Sequence, residues 1–381
     1  MRITCIIGPF LPVPPVRGGA VERIWLSLCN EFARNGHETT MISRRFGMFA
    51  PIETVSGVQH IRIPSFDTPH SKIIYRLFDV IYAIRACFIL KKSDVTITNS
   101  VALPMIIPAG RAGVIYVSVA RFPKRQMWLY WRAHRLQAVS KAVADAIVEQ
   151  SPNCVDVVKV VPNCLPLAFS QRRVARRGHR EKEILFVGRI AREKGLDLLV
   201  RAFAHLNSTD WKLTLLGPSA ICEGGDGTEY RDELMRIARE AGVEITLEEP
   251  IFDESRLIDR YRAADIFVYP SISESGESFG MAPLEAMCCG CAVIVSKLAC
   301  FDDFAKDGVN SLVFDHRDST GVALAERLAS LIDDEHLRNT VALRAVETSA
   351  EFDIDHVAKQ FIADFESLLT RQGKAFKACQ I

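Results

Sequence analysis

The sequence predicts an α/β protein made of two domains, each a doubly wound parallel sheet with helices on both faces. Its 381 residues are about twice the length of a typical domain. Both halves alternate short apolar runs with amphipathic helical segments, the order that produces β-α-β units. The two halves also differ strongly in charge, which separates them further.

The charge of the chain changes sign near its middle. Residues 1–180 hold 25 Lys and Arg against 10 Asp and Glu, a net of +15, whereas residues 181–381 hold 22 against 36, a net of −14. The change falls at 171–180, where five arginines crowd a short polar segment typical of a solvated linker. We therefore predict a first domain over 1–170, a linker over 171–180, a second domain over 181–365 and a tail over 366–381.

The elements follow from hydrophobic periodicity and from helix start and stop signals. In the first half, strands are predicted at 3–8, 39–43, 95–98 and 114–119, and helices at 20–35, 71–90 and 141–149, the last after the cap-like Ser140. In the second half, strands are predicted at 184–187, 212–216, 266–269 and 292–296, and helices at 196–206, 230–241 and 282–287. Because ligands bind beyond the carboxyl ends of parallel strands, the loops after these strands are the expected functional sites.

Composition excludes several classes of protein. With 49% hydrophobic and 24% charged residues, the chain is neither disordered nor collagenous. No apolar run reaches the roughly 20 residues of a membrane span, and no secretory signal is apparent, so we expect a cytoplasmic protein. Eleven cysteines, an odd number, predict reduced thiols, and Cys288, Cys289 and Cys291 are interpreted as packing residues because no second pair completes a zinc site.

The loop 8–19 joins the first strand to the first helix and ends in Gly18 and Gly19. Glycines at a helix N-terminus leave backbone N–H groups exposed, and the helix dipole favours a phosphate there. A loop that merely turns the chain explains the same residues equally well, since the pattern is neither a dinucleotide fingerprint nor a Walker loop.

The loop 188–195 follows the strand at 184–187 and contains Arg189 and Lys194. A guanidinium can fork two oxygens of a diphosphate while an ammonium adds a compact charge beside it. In the acidic half of the chain, this basic loop indicates a diphosphate site. A solvated charged turn is the alternative.

The segment 274–285 lies between a strand and a helix and carries Glu277 and Glu285. Two carboxylates beside a glycine-containing turn can grip hydroxyl groups, which suits a sugar nucleotide. The alternative is structural, because acids are common in the first turn of a helix.

These segments together resemble one family. The loop 188–195, the run 264–271 and the Glu277-to-Glu285 block (E-x7-E) resemble the retaining GT-B glycosyltransferases of the "glycosyl transferases group 1" kind, as do 18–23, 32–38, 138–140 and 161–163. The resemblance runs from about residue 1 to 365. It implies two Rossmann-like domains facing a central cleft, with the acceptor bound by the first and a UDP- or GDP-sugar donor mainly by the second.

The resemblance also implies roles for individual residues. Glu277, Arg189 and Lys194 would act in catalysis, which needs neither a metal nor a cofactor. The donor would contact the following groups: Gly18, Gly19, Arg189 and Lys194 at the diphosphate, Glu277 at the sugar hydroxyls, the backbone of Phe279, Gly280, Met281 and Ala282 at sugar and phosphate, Glu285 at the ribose and Glu254 near the base. A catalytically degenerate sugar-nucleotide-binding protein of the same fold is the alternative.

One position departs from the family pattern. Where the family often has a His after the strand at 114–119, this chain reads Ala120-Arg121, and His134 lies too far along to take its place. The departure leaves a front-face mechanism, in which the leaving phosphate takes the acceptor proton. On the acceptor side, Arg121 or Lys124 could substitute for the missing group.

Two basic segments of the first half carry aromatic or apolar residues. The segment 121–135 interleaves Trp128, Tyr130 and Trp131 with Lys124, Arg125, Arg132 and Arg135, and the helix at 71–92 adds five more Lys and Arg. The pattern suits an anionic membrane surface or a glycan groove, and a core helix with basic outer residues is the alternative. No nucleic-acid-binding motif is present. We therefore expect a glycan or lipid-linked acceptor in envelope polysaccharide or glycolipid synthesis, with peripheral contact to an anionic membrane.

Overall fold

The computed structural model describes residues 1–47, 49–69, 71–173, 181–206 and 210–378. The chain divides into two compact units, one of Met1–Pro166 with the segment from Ile354 onward, and one of Leu167–Asp353. This division differs from the predicted one in two places. The boundary falls ahead of the predicted linker at 171–180, of which 174–180 lies outside the described residues, and the chain returns to the first unit before the predicted domain end at 365.

Each unit is built on one sheet. The strands of the first are β1 Arg2–Ile6, β2 Glu38–Arg44, β3 Ile52–Val55, β4 Val58–Ile63, β5 Val95–Thr98, β6 Val114–Val119, β7 Arg135–Ala138 and β8 Val158–Val160, in the order β3-β4-β2-β1-β5-β6-β7-β8. Those of the second are β9 Glu181–Val187, β10 Lys212–Leu216, β11 Ile245–Glu248, β12 Ala264–Tyr269, β13 Ala292–Ser296 and β14 Leu312–Phe314, in the order β11-β10-β9-β12-β13-β14. Apart from the antiparallel pair of β3 with β4, all these pairings are parallel. The prediction of two parallel-sheet α/β domains is confirmed.

Helices connect the strands and cover the sheets. They are α1 Ala20–Arg34, α2 Lys72–Ile89, α3 Leu103–Ile106, α4 Ala109–Ala112, α5 Lys141–Gln150, α6 Leu167–Gln171, α7 Leu196–His205, α8 Gly227–Glu240, α9 Glu254–Ala263, α10 Met281–Cys288, α11 Val322–Asp333, α12 Glu335–Ser349 and α13 Ile354–Ala378. The start of α5 is fixed as predicted, because the Ser140 hydroxyl accepts the backbone N–H of Val143 at 3.2 Å. The central strands β5, β6, β12 and β13 are buried along their whole length, as expected for parallel strands that are covered on both faces.

The order of the strands marks where a site is expected in each unit. Chain progression reverses direction between β1 and β5 in the first sheet and between β9 and β12 in the second. At such a switch point the two connecting chains leave in opposite directions, and a crevice opens at the carboxyl ends of the strands. Both phosphate-binding loops predicted from the sequence, 8–19 and 188–195, follow a strand at one of these two points.

Candidate active site

In the second unit, two loops meet at the carboxyl ends of β9 and β12. The loop 188–195 is held against the loop after β12, because the carbonyl of Glu193 accepts the N–H of Ile272 at 3.0 Å and the hydroxyl of Ser271 at 3.2 Å. Gly195 has φ +63°, and a Cβ there would lie 2.3 Å from the carbonyl oxygen of Pro270. The close approach of the two backbones therefore requires glycine at this position.

Lys194 and Glu277, which the sequence assigned to different parts of the donor, form one buried ion pair. The Lys194 Nζ lies 2.5 Å from Oε2 of Glu277, and both side chains are about nine-tenths buried. Tyr269, at the end of β12, donates its hydroxyl to the same oxygen at 3.2 Å, and its ring centre is 5.1 Å from the ammonium. The two opposite charges offset each other.

The tyrosine of this cluster stays protonated. Burial raises the pKa of Tyr269 well above its ordinary value, and the negative charge of Glu277 raises it further. Oε1 of Glu277 has no hydrogen-bond partner among the described residues. The carboxylate is thus fixed through one oxygen, and the other remains available to accept from a ligand.

Arg189 places an accessible charge beside this cluster. Its side chain is 44% exposed and donates to Oε1 of Glu193 and to the carbonyl of Gly224, at 2.5 and 2.6 Å. A Cβ on Gly224 would lie 3.1 Å from the Arg189 Cδ, so a glycine gives the guanidinium room to lie flat against this turn. An exposed guanidinium at the end of β9 suits a diphosphate.

Glu285 has a different tyrosine partner. It lies on α10, is 3% exposed and accepts the hydroxyl of Tyr261 from α9 at 3.1 Å through Oε2. Glu277 is instead held from the end of β12. The two carboxylates of the E-x7-E block therefore have separate supports, which allows separate roles.

The start of α10 combines a capping glycine with first-turn N–H groups that no helix carbonyl accepts. Gly280 caps the helix with φ +91°, and a Cβ there would lie 2.5 Å from the ring of Phe301. The Phe279 side chain is buried against Phe304 and Phe352, so only its backbone can approach a ligand. Met281 and Ala282 form the first turn, whose N–H groups have no acceptors within the helix.

Glu254 opens helix α9, directly after the loop that leaves β11. The N-cap is its neighbour Asp253, whose carboxylate accepts the N–H of Arg256 at 2.8 Å. Phe252 in the same loop is 68% exposed. The predicted contact of Glu254 with a base stays a prediction, and an exposed aromatic ring nearby is a feature that the sequence reasoning did not use.

In the first unit, Gly18 and Gly19 precede α1 with φ +74° and +113°. A Cβ on Gly19 would lie 2.4 Å from Oε2 of Glu22, a buried carboxylate in the first turn of the helix. Burial raises the pKa of Glu22, and the positive charge of Arg121 acts in the opposite direction. Arg121 therefore lies close enough to the first turn of α1 to act on this carboxylate, whereas Lys124 is exposed in the following loop.

His134 lies away from this edge of the sheet, as the sequence predicts. Its Nδ1 accepts the backbone N–H of Ile115, near the amino end of β6, at 3.0 Å. The chain positions that follow β6 at its other end hold Ala120 and Arg121. His134 thus has a structural partner and does not replace the family's usual His.

Two further features concern metals and thiols. Within the described ranges, no group of three or more His, Cys, Asp or Glu side chains is placed to hold a metal ion. The thiols of Cys288 and Cys291 are buried and donate to the carbonyls of Phe169 and Tyr261. Burial raises the pKa of Cys288, which keeps it as a neutral packing residue.

Two parallel α/β sheets with switch points, and a charged site at one of them, agree with the GT-B glycosyltransferase fold. Two family models match consecutive parts of the chain, Glycosyltransferase Family 4 over residues 17–169 and Glycosyl transferases group 1 over residues 169–347. Together the two matches span residues 17–347, the first over most of the first unit and the second over most of the second.

Curated relatives match part of the chain. This chain is 35% identical to a D-inositol 3-phosphate glycosyltransferase of Xylanimonas cellulosilytica over 176 residues. That match covers 46% of this chain and 40% of the relative. A D-inositol 3-phosphate glycosyltransferase of Rhodococcus jostii is 30% identical over 245 residues, 61% of this chain and 52% of that protein. The matched region spans about half the length of these relatives or less.

Solved structures match over almost the whole chain. Sucrose-phosphate synthase from Thermosynechococcus elongatus has a TM-score of 0.78 at 19% identity, covering 97% of this chain and 100% of that one. Anabaena HepE in complex with UDP-glucose has a TM-score of 0.73 at 16% identity, covering 96% and 100%. At these identities the likeness concerns the fold.

Proposed function

We propose that this chain is a retaining, metal-independent glycosyltransferase that moves a sugar from a UDP- or GDP-sugar to a glycan or lipid-linked acceptor of envelope polysaccharide or glycolipid synthesis. The observation that carries the proposal is the cluster of Lys194, Glu277 and Tyr269 beside the exposed Arg189. This cluster lies at the β9–β12 switch point, and parallel sheets bind their ligands at such points. The glycosyltransferase activity of the curated relatives and the UDP-glucose bound by the Anabaena protein support it.

The cluster suggests how a donor would be received. A diphosphate oxygen competes with Glu277 for the ammonium of Lys194, while Arg189 offers two N–H groups to the same diphosphate. Glu277 keeps the hydrogen bond from Tyr269 and accepts a sugar hydroxyl through its second oxygen. Donor binding thus converts an internal ion pair into two contacts with the ligand.

The proposed transfer needs no reactant besides the donor and the acceptor. The bond between the anomeric carbon and the leaving phosphate oxygen breaks, the acceptor oxygen bonds to the same face of that carbon, and its proton passes to the leaving phosphate. The products are a nucleoside diphosphate and a glycoside of unchanged anomeric configuration. Arg189 and Lys194 offset the negative charge that grows on the leaving group, which is the work a metal ion does in other transferases.

We expect the two carboxylates to contact different parts of the donor, so that their variants have different effects. Glu285→Gln should weaken binding of free UDP or GDP about tenfold or more, because it replaces a charged hydrogen-bond acceptor. Glu277→Gln should bind the free nucleotide equally well or more tightly, because Lys194 is released from its partner. The same variant should no longer transfer sugar. Calorimetry with the nucleotide alone measures the first effect and turnover measures the second.

The control for this pair is Glu240→Gln. Glu240 lies on the exposed surface of α8 in an ion pair with Arg236, away from the loops of the site, and should change neither quantity. Equal weakening of nucleotide binding by both site variants would reject the division of roles.

The activity is tested by incubating the full chain with UDP-glucose, UDP-galactose, UDP-N-acetylglucosamine and GDP-mannose and measuring the released nucleoside diphosphate, with and without a chelator. We expect either the UDP-sugars or the GDP-sugar to raise the melting temperature of the protein. We also expect a sugar donor of that kind to be consumed even in the presence of the chelator. Nuclear magnetic resonance of the glycoside reports the anomeric configuration. Binding of a donor without turnover would favour the degenerate binding protein. If the chain neither bound nor turned over any of the four donors, the proposal would be refuted.

A further inference from the structure

Helix α2 of the first unit has an apolar stripe on its outer side. Ile73 and Phe88, near its two ends, are 82% and 80% exposed. The members of the stripe are Ile73, Leu77, Val80, Ile84 and Phe88, and all are exposed. At about 100° per residue, these positions fall within a sector of roughly 80° on a helix about 27 Å long.

The opposite side of α2 is the one that packs against the unit. Its buried residues are Asp79, Tyr82, Ala83 and Ala86. A surface helix normally turns its apolar side to the core and its polar side to water. This helix is apolar on both sides, so the outer stripe serves something other than the internal core. The sequence alternative of a core helix with basic outer residues does not describe this stripe.

The stripe continues onto neighbouring segments. The Cys87 thiol of α2 lies 3.8 Å from the carbonyl of Ile106 in α3, and Arg132 donates to the carbonyl of Met105 at 2.9 Å. Beside Arg132, Trp131 is 74% exposed, and Trp128 is 69% exposed. We call the resulting surface the apolar face; it consists of the α2 stripe with Met105, Ile106, Trp128 and Trp131. Contiguous apolar surfaces of this kind mark interaction sites.

The chain segments that carry the apolar face are rich in basic residues. The segments 71–92, 101–112 and 121–135 contain ten Lys and Arg besides Arg135, and their only acid is Asp79. Asp79 is buried and accepts the Ser100 hydroxyl at 2.8 Å and the N–H of Ala102 at 2.9 Å, so it offers no negative charge to a partner. Arg135, which the sequence grouped with the basic residues, is buried against Asp364 and takes no part.

We propose that the apolar face inserts into the headgroup region of an anionic membrane, with α2 lying in the plane of the surface. Exposed aliphatic side chains, two exposed tryptophans and the excess of Lys and Arg in the segments that carry them match the chemistry of that interface. None of the described helices is long and apolar enough to cross a bilayer, so the attachment is peripheral. The proposal concerns membrane contact alone and does not depend on the sugar chemistry proposed above.

Flotation of the full chain with lipid vesicles tests the proposal. We expect binding to phosphatidylcholine vesicles that contain one-third phosphatidylglycerol and little binding to pure phosphatidylcholine. Two of the four tryptophans, Trp25 and Trp211, are buried, so a blue shift of emission on binding reports Trp128 and Trp131. Equal binding to both kinds of vesicle, or none to the anionic ones at low salt, would overturn the proposal.

Variants separate insertion from simple charge attraction. Ile73→Gln/Leu77→Gln/Phe88→Gln should lower anionic-vesicle binding at least tenfold, since it removes apolar area that only an inserted helix buries. Ile52→Gln/Val55→Gln, at exposed positions of β3 in the same unit, is the matched control and should bind normally. Unchanged binding by the triple variant would refute insertion. A lipid-free dimer that the triple variant dissociates would instead assign the apolar face to a second copy of the chain.

Discussion

Replacing Lys194 with alanine is expected to reduce sugar transfer at least about 100-fold, because it removes a charge that stabilises the leaving diphosphate. The same change should lower the free energy of unfolding by about 3 kcal/mol. It leaves the Glu277 carboxylate buried without its cation, and that uncompensated charge costs more than the pair itself contributes. Steady-state turnover of the donor and chemical denaturation measure the two effects.

A double variant separates the two effects. In Lys194→Ala/Glu277→Ala the unpaired charge is gone, so most of the lost stability should return, whereas transfer should stay low. Arg192→Ala in the same loop is the control, since its exposed ion pair with Glu233 contributes little to stability. If the double variant restored transfer together with stability, Lys194 would be a structural residue and the proposed role would fail.

The structure pairs two of the charged residues singled out from the sequence in a way that the sequence did not predict. Arg189, Lys194, Glu277 and Glu285 were singled out because they stand in loops and helix starts with recognisable chemistry. The ion pair joins positions 83 residues apart, and sequence spacing carries no information on such a contact. Separate donor roles for the two side chains were therefore predicted without the contact that links them.

The supporting tyrosines were missed for a related reason. Tyr269 ends a buried strand and Tyr261 lies on a helix, so both are consistent with ordinary core residues. Only the hydroxyls, which point to Glu277 and Glu285, distinguish them from phenylalanine. A tyrosine at the carboxyl end of an otherwise apolar strand is the available signal, because a buried hydroxyl needs a partner.

The predicted elements include amphipathic helices and strands with a strong apolar pattern. Strands β6 and β13, for example, are covered on both faces, and their sequences are mainly apolar. The edge strands β3 and β11 and the polar helix α9 were not predicted, since their exposed positions dilute the pattern.

The last helix shows a different limit of sequence reasoning. No helix was predicted here and 366–381 was assigned to a tail, whereas the structure has one helix over Ile354–Ala378, and no local pattern says which sheet it covers. In the structure Phe361 lies 5.3 Å from Trp25, and Phe365 lies 5.8 Å from Phe32, both measured between ring centres. The return of α13 to the first unit is thus set by contacts more than 300 residues away in the chain.

Asp364→Ala should destabilise the first unit by about 3 kcal/mol or more. This carboxylate is 1% exposed and receives two hydrogen bonds from Arg135, at 2.8 and 2.9 Å, and one from the Tyr116 hydroxyl at 3.1 Å. Lys159 adds an ion pair at 3.0 Å. Alanine leaves the Arg135 guanidinium buried without its counter-charge. A buried charge without a partner lowers the free energy of unfolding more than the loss of both partners would.

Hydrogen exchange of the full chain gives this prediction a local readout. The amides of α13 and of β7 should lose protection in Asp364→Ala, because the ion pair joins these two elements, while those of β9 to β13 in the second unit should keep it. Glu366→Ala is the matched control on the same helix, at an exposed position, and should change the free energy of unfolding by less than about 0.5 kcal/mol. If both variants behaved alike, or if the loss of protection fell on the second unit, the assignment of α13 to the first sheet would be refuted.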